Sequence, residues 1–217
     1  MVQKRFPKVS DTAQERREHI IESATQLIAS HGLQGVSMRA VADRAGCSRG
    51  LVEHYFSNKA ALLSAANHWA NETYLKRVAQ AVGSLTGLAA LEVRLGNLLP
   101  YTQAELDEWR VRLVFWRQAS TDTAPEQEYN LAFHPVYREI LADMLYAQRQ
   151  GEIPVSVPIL ETSELVLFFV IGLGTTCLRT SQLREKRPLD RRVAMLLGLL
   201  RSGNVSALQV GDPNVEY

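Results

Sequence analysis

Apolar residues recur along this chain at intervals of three and four, and no stretch alternates apolar with polar over a strand's length. The pattern predicts an all-α fold of about nine helices. The first runs from Asp11 or Thr12 to His31, with Ile20, Ala24, Leu27 and Ile28 on one face and Gly32 at its stop. Two short helices follow. Ser37 is placed to cap one whose apolar positions are Met38, Val41, Ala42 and Ala45, and Gly46 ends it with the residue most tolerant of positive φ. Ser48 caps the next at once, Val52, Tyr55 and Phe56 face inward, and Ser57 or Asn58 caps what comes after. A long pattern from about Lys59 to Leu85 then puts Leu62, Leu63, Ala66, Trp69 and Thr73 on its inner side.

The second half continues in the same period. Thr86 or Gly87 breaks the pattern, and a helix from about Leu88 to Leu99 stops at Pro100. Thr102 can cap a helix reaching about Ser120, with Leu106, Trp109, Leu113 and Trp116 at spacings of three or four. Pro125 opens another that ends near Gln150, before Gly151 and Pro154. Pro158 to about Gln182 is the most apolar segment; its run Leu165 to Leu178 is too short to cross a bilayer and reads as a buried core helix. Pro188 starts a last amphipathic helix with Val193, Leu196, Leu197 and Leu200, and the tail from residue 204 looks loose.

Charge divides the chain unevenly. Residues 1–60 hold nine Lys and Arg against six Asp and Glu, a balance of +3, while residues 61–217 hold fifteen against seventeen, a balance of −2. A small basic reader of phosphate joined to a slightly acidic body fits that asymmetry. Lys4, Arg5 and Lys8 lie in an aperiodic segment, residues 1–11, read as a flexible basic arm that could reach DNA. Cys47 and Cys177 are far apart in apolar patterns and read as buried free thiols of a reducing compartment. With no apolar signal-peptide core at the amino terminus, a cytoplasmic protein is expected.

The two short helices at a tight turn are the arrangement of a helix-turn-helix, in which the second helix enters the major groove. Ser37 and Ser48 sit where helix amino-terminal amides could hold a phosphate. Arg39, Arg49, Tyr55 and Lys59 can donate to the backbone, and Arg49 or His54 could reach a base edge. The order of these elements, with Ser-Met-Arg-Ala-Val-Ala-Asp-Arg-Ala-Gly-Cys-Ser-Arg-Gly and then His54, Tyr55, Phe56, Ser57, Asn58 and Lys59, resembles the amino-terminal domain of the tetracycline-repressor (TetR) family. Val41, Ala42, Ala45 and Gly46 match its small apolar positions and turn glycine. Ser48, Gly50, His54, Tyr55, Phe56 and Lys59 match its recognition-helix serine and glycine and its His-Tyr-Phe and lysine. The expected DNA-binding set is Ser37, Arg39, Ser48, Arg49, Gly50, Leu51, His54, Tyr55 and Lys59. Glu53 departs from the family's usual Tyr; a carboxylate there could accept from a cytosine amino group but would be repelled by phosphate.

The resemblance implies a helix-turn-helix domain at 12–58, a helical effector-binding and dimerisation domain at 59–203, and double-stranded operator DNA as partner. It also implies a homodimer through the two last long helices, and the sequence supports that independently: Leu165, Val166, Phe168, Phe169, Ile171 and Leu173 are apolar nearly all round, and Gly172 and Gly174 allow close approach. The segment Trp109 to Ala119 resembles the corresponding helix of the choline-sensing repressor subgroup. Asn97, Tyr101, Trp109, Arg112, Trp116, Phe133, His134, Tyr137, Phe168 and Cys177 are the candidate walls of a pocket for an unidentified small-molecule effector, and such aromatics could wrap a quaternary ammonium. Trp109 and Trp116, at heptad spacing, also read as plain core. No nucleophile elbow, P-loop, dinucleotide turn or metal-spaced His/Cys cluster occurs, so no enzyme, metal, cofactor or membrane role is expected. The reading is a ligand-responsive repressor; the alternative is a helical protein that binds DNA constitutively, as an architectural or activating factor.

Overall fold

A computed structural model describes residues 12–121, 126–180 and 186–204, with side chains described in all of these except 117–121, 126–134 and 186–188. Among the described residues the chain is helical without strands: α1 (Ala13–His31), a 3-10 turn (Leu33–Gly35), α2 (Met38–Ala45), α3 (Arg49–Tyr55), α4 (Lys59–Val82), α5 (Gly87–Leu98), α6 (Gln103–Thr121), α7 (Glu126–Arg149), α8 (Ile159–Cys177) and α9 (Lys186–Ser202). The basic arm, Pro125, and the tail from residue 205 lie outside the described residues, as do the side chains of Phe133 and His134. The helices pack as two compact units. One takes in α1 to α3, α4 as far as Tyr74, and α6; the other takes in Leu75 to Thr102 and α7 to α9.

The first unit is built from local signals. Thr12 and Glu15 form a capping box on α1, Thr12 accepting from the Glu15 amide at 3.2 Å and Glu15 accepting from the Thr12 amide at 2.6 Å. Those hydrogen bonds hold the Glu15 carboxyl below its ordinary range. Ile20, Ile21, Ala24, Leu27 and Ile28 then bury against Val41, Ala42, Ala45, Val52 and Phe56. Each such aliphatic side chain taken from water stabilises by roughly 1.5–3 kcal/mol before entropy is counted. The same core continues into Leu62 and Ala66 of α4 and Val111 of α6, with Val114 and Phe115 packed on it. By packing, therefore, Lys59 to Tyr74 and all of α6 go with the helix-turn-helix.

On α4 the structure departs from the expected face. Thr73 is exposed, and Leu62, Ala66, Tyr74, Val78 and Val82 are the buried positions. A series in steps of four precesses by about 40° per step on a helix of 3.6 residues per turn. The buried face therefore winds around α4 along its length, and a fixed-face template picks Thr73 one residue too early.

The second unit depends on partners distant in sequence. Gly87 opens α5 at φ 63°, and a Cβ there would meet the Glu152 carboxylate at 2.7 Å. That carboxylate accepts from the Leu88 amide at 2.8 Å, filling a capping role that the Thr86 side chain leaves open. Arg94 of α5, buried, donates to both oxygens of Asp143 on α7 at 2.6 and 3.3 Å and reaches Glu139 at 3.1 Å. Burial pushes the Asp143 carboxyl up, against the pull of Arg94. Gln148 donates to the carbonyls of Pro154 and Val157, both at 3.0 Å, tying down the turn before α8.

Helix α8 has 19 residues, long and apolar enough by length and composition to cross a membrane, which the shorter run Leu165 to Leu178 is not. Its packing marks it as a core helix: Val166, Leu167, Val170, Leu173 and Cys177 are buried, Ser163 donates to the Ile159 carbonyl at 2.7 Å, and its neighbours are α7 and α5. Leu160, Leu165 and Phe168 nevertheless remain exposed, as does Met195 on α9. The last helix begins at Lys186, so Pro188 lies within its first turn, where no intrahelical donor is lost. Leu189, Val193, Leu197 and Leu200 are its buried positions. Cys47 and Cys177 are free thiols; Cys177 is buried, Cys47 is half-buried, and burial pushes its thiol up.

Candidate functional site

The exposed face of α2, α3 and the start of α4 is fixed by caps that the sequence names directly. Ser37 accepts from the Ala40 amide at 3.0 Å and Ser48 from the Leu51 amide at 3.2 Å, and Asn58 rather than Ser57 caps α4, accepting from Ala61 at 2.9 Å. Between the first two helices Gly46 sits in the left-handed region at φ 66°, ψ 30°, and the Cys47 amide donates back to the Ala42 carbonyl at 3.0 Å. That turn fixes α3 against α2. Val52 and Phe56 face the core, which leaves Ser48, Arg49, Gly50, Glu53 and His54 exposed along one side of α3.

The candidate contacts are arranged as follows. Gly50 has open space where a side chain would stand, the nearest atom to an added Cβ being Ser48 Oγ at 4.0 Å, so the first turn of α3 is bare backbone. Arg49 Nε donates to Glu53 Oε1 at 2.7 Å, one turn along, with both side chains well exposed. Glu53 is thus the partner of the guanidinium expected to face DNA. Leu51 and Tyr55 are half-buried; the Tyr55 ring packs on the core and meets His54 edge-on at 5.2 Å. Lys59 Nζ donates to the Leu33 carbonyl at 2.9 Å, which anchors an ammonium that has two further protons to offer. Arg39 is exposed, and Ser37 shares its stretch of surface. Behind this face α1 supplies the support: Arg17 lies over the Phe56 ring at 5.3 Å, Gln26 accepts from Arg44 at 3.0 Å, and His19 Nε2 is 3.2 Å from the Ala45 carbonyl.

The expected effector residues fall into both units. In the first, Trp109 is buried and meets Trp116 edge-on at 6.0 Å, and Arg112, also buried, lies over the Tyr74 ring at 3.9 Å and the Trp109 ring at 4.8 Å. Glu108 stands 3.5 Å from Arg112. Tyr74 and Glu108 were not singled out from sequence; the step-of-four series on α4 and the i, i+4 spacing of Glu108 and Arg112 are the signals that carry them. In the second unit, Asn97 donates to the Val93 carbonyl at 2.8 Å, Tyr101 donates to Asp190 at 3.0 Å, Cys177 is buried, and Phe168 points outward, 59% exposed. Tyr137 is half-buried; burial raises its hydroxyl, and Glu164 and Glu161 raise it further. Within the first unit a cleft of about 450 Å³ opens among α1, α4 and α6, walled by Trp69, Ala70 and Val111 and rimmed by Glu22, Asp107 and Glu108; none of the expected residues lines it. Among the described residues no group of three or more His, Cys, Asp or Glu is placed to hold a metal ion.

Residues 20–66, which span the core of α1 through the start of α4, match the family described as bacterial regulatory proteins, tetR family. The chain is 28% identical to the transcriptional repressor AcnR of Corynebacterium jeikeium over 174 residues, covering 77% of this chain and 86% of that protein. It is 32% identical to the transcriptional regulator BetI of Burkholderia ambifaria over 123 residues, covering 54% of this chain and 61% of that one. In fold it is similar to a regulator from Saccharomonospora viridis solved in complex with choline, with a TM-score of 0.76 at 22% identity over 85% of this chain and 96% of that chain. Residues 20–66, with their capped helix-turn-helix, thus form a tetR-family amino-terminal domain, and over most of its length the chain is similar in sequence and in all-helical fold to transcriptional regulators.

Proposed function

We propose that the protein is a cytoplasmic, homodimeric repressor that leaves its operator when a small molecule binds outside the helix-turn-helix. The observation that carries the DNA half is the exposed line of Ser48, Arg49, Gly50 and His54 on α3, with Lys59 anchored nearby. In this reading Arg49 and His54 address base edges. Ser37, Arg39, Tyr55 and Lys59 hold phosphates, and Gly50 and Leu51 let the helix approach the groove closely. Dimerisation through α8 and α9 is supported by Leu160, Leu165, Phe168 and Met195, large apolar side chains left exposed on the two last long helices.

Effector coupling is assigned to α6. Its Val111 is part of the core that holds α1 and α3 in place, and Trp109, Arg112 and Trp116 stand on the same helix. A ligand that shifts α6 would therefore move α1. The population would pass to a state whose two recognition helices no longer match successive major grooves. Asn97, Tyr101, Phe133, His134, Tyr137, Phe168 and Cys177 are effector candidates on sequence grounds alone. Operator affinity measured by fluorescence anisotropy across a broad panel of small molecules tests the proposal: at least one compound is expected to weaken binding about tenfold or more. Unchanged affinity for every compound would favour the constitutive alternative.

A further inference from the structure

The faces of Tyr74 and Trp109 meet around one point in the first unit, with Trp116 edge-on to Trp109 behind them, and aromatic faces so gathered elsewhere recognise quaternary ammonium ions. Here the cation is already present. The Arg112 guanidinium lies 3.9 Å from the Tyr74 centroid and 4.8 Å from that of Trp109, inside the range for cation–π attraction. Arg112 is 7% exposed, Trp109 2% and Tyr74 4%, so the guanidinium is desolvated where that attraction is strongest. Glu108, 3.5 Å from Arg112, is also a rim residue of the cleft among α1, α4 and α6. The carboxylate thus supports the internal cation on one side and borders solvent-accessible space on the other.

We infer that Arg112 is the chain's own occupant of this aromatic cage and acts as a specificity-determining residue that bars organic ammonium ions from it. A second cation could bind the rings only by displacing the guanidinium or by lying against it. The first gives up two ring contacts and the Glu108 pairing; the second places like charges side by side in a site from which water is largely excluded. Removing the guanidinium reverses the situation. The rings then lose their positive charge, and Glu108 loses this partner while staying beside them, so a trimethylammonium group meets π-faces and a carboxylate together. Only the consequence for regulation rests on the proposed effector role of α6; the occupancy of the cage stands on the local geometry.

The test is isothermal titration of the full-length protein with choline and with its uncharged carbon isostere, 3,3-dimethylbutan-1-ol. The parent is expected to give no saturable binding with either. Arg112→Ala is expected to bind choline with half-saturation near or below about 1 mM and to prefer it to the isostere at least about tenfold. Arg112→Lys, which keeps a cation in place, is expected to behave as the parent does. Should Arg112→Ala fail to fold by circular dichroism, Arg112→Gln takes its place, with the same preference for choline expected. Saturable choline binding by the parent, or a folded neutral variant that does not prefer choline to the isostere, overturns the inference. Operator anisotropy on the same samples separates the two readings: choline binding to the variant without any change in operator affinity would count against effector coupling through α6 and leave the cage assignment standing.

Discussion

Helix α3 buries one of its seven residues, whereas α8 buries nine of its nineteen and leaves Leu160, Leu165 and Phe168 exposed among them. On α3 the distribution of side chains fits the DNA-facing role proposed for it. Caps, a bare glycine and an exposed arginine are choices that packing alone would not make. On α8 residues 165–174 are all apolar or glycine, so there the sequence does not distinguish the buried side from the side left exposed among the described residues. Polar interactions differ in the same way. Those on α3 are exposed and individually cheap, and those beneath α5 and α7 are buried and expensive to break.

The largest expected effect tests the expensive end. Arg94→Met would leave Asp143 buried without its bidentate partner, at a cost of about 3–5 kcal/mol in urea unfolding at neutral pH. The loss should also depend on pH. Burial already raises the folded-state pKa of Asp143, so protonation favours the native form, and the stability this contributes is present at low pH and lost as pH rises through that pKa. Without Arg94 the pKa moves further up, and the deficit should shrink as the solution is acidified towards the carboxylate range. A loss under about 1 kcal/mol with no pH dependence would mean that the pair behaves as an exposed one does.

Ser48→Ala sits in the middle of the range. Its hydroxyl holds the Leu51 amide at an exposed helix start, and losing such a cap costs about 1 kcal/mol in thermal or urea unfolding, while Ser48→Thr should recover most of it. A loss as large as that expected for Arg94→Met would show that α3 is coupled to the core far beyond Val52 and would erase the contrast between the two regions.

How much of this was legible in the sequence follows from the reach of each interaction. Thr12, Ser37, Ser48 and Gly46 act on amides and carbonyls within a few residues, so their roles could be read in order along the chain. Glu152 caps α5 from 64 positions beyond Leu88, and Arg94 finds Asp143 across 49; nothing in the local pattern announces either. On the candidate DNA face the serine caps were legible because they act locally, whereas the support from α1, Arg17 over Phe56 and Gln26 to Arg44, was not. The aromatic cluster was half legible: Trp109, Arg112 and Trp116 stood out, but Tyr74 was passed over for Thr73 because the buried face of α4 winds as its neighbours change. The arrangement of Arg112 over two rings is tertiary, and the sequence left the aromatics open as either pocket wall or core.

The smallest expected effect bears on α3 itself. Glu53 engages Arg49 at 2.7 Å with both side chains well exposed, a pair whose worth to stability is only about 0.3–0.5 kcal/mol, so Glu53→Gln should hardly move the unfolding midpoint. Its consequence for DNA is larger than its consequence for the fold. The substitution removes a negative charge from the proposed DNA face and frees the guanidinium from this charged partner. Binding to non-specific duplex should tighten a few-fold, and the slope of log K against log salt should steepen by up to about 0.9 if Arg49 gains one phosphate. The comparison that matters is with the operator. Tightening on both DNAs makes Glu53 a restraint on Arg49, whereas weakening confined to the operator makes it a reader of a cytosine amino group. The 2.7 Å contact favours the restraint, because a carboxylate already engaged by the neighbouring guanidinium has to give up that charge-assisted bond before it can accept fully from a base.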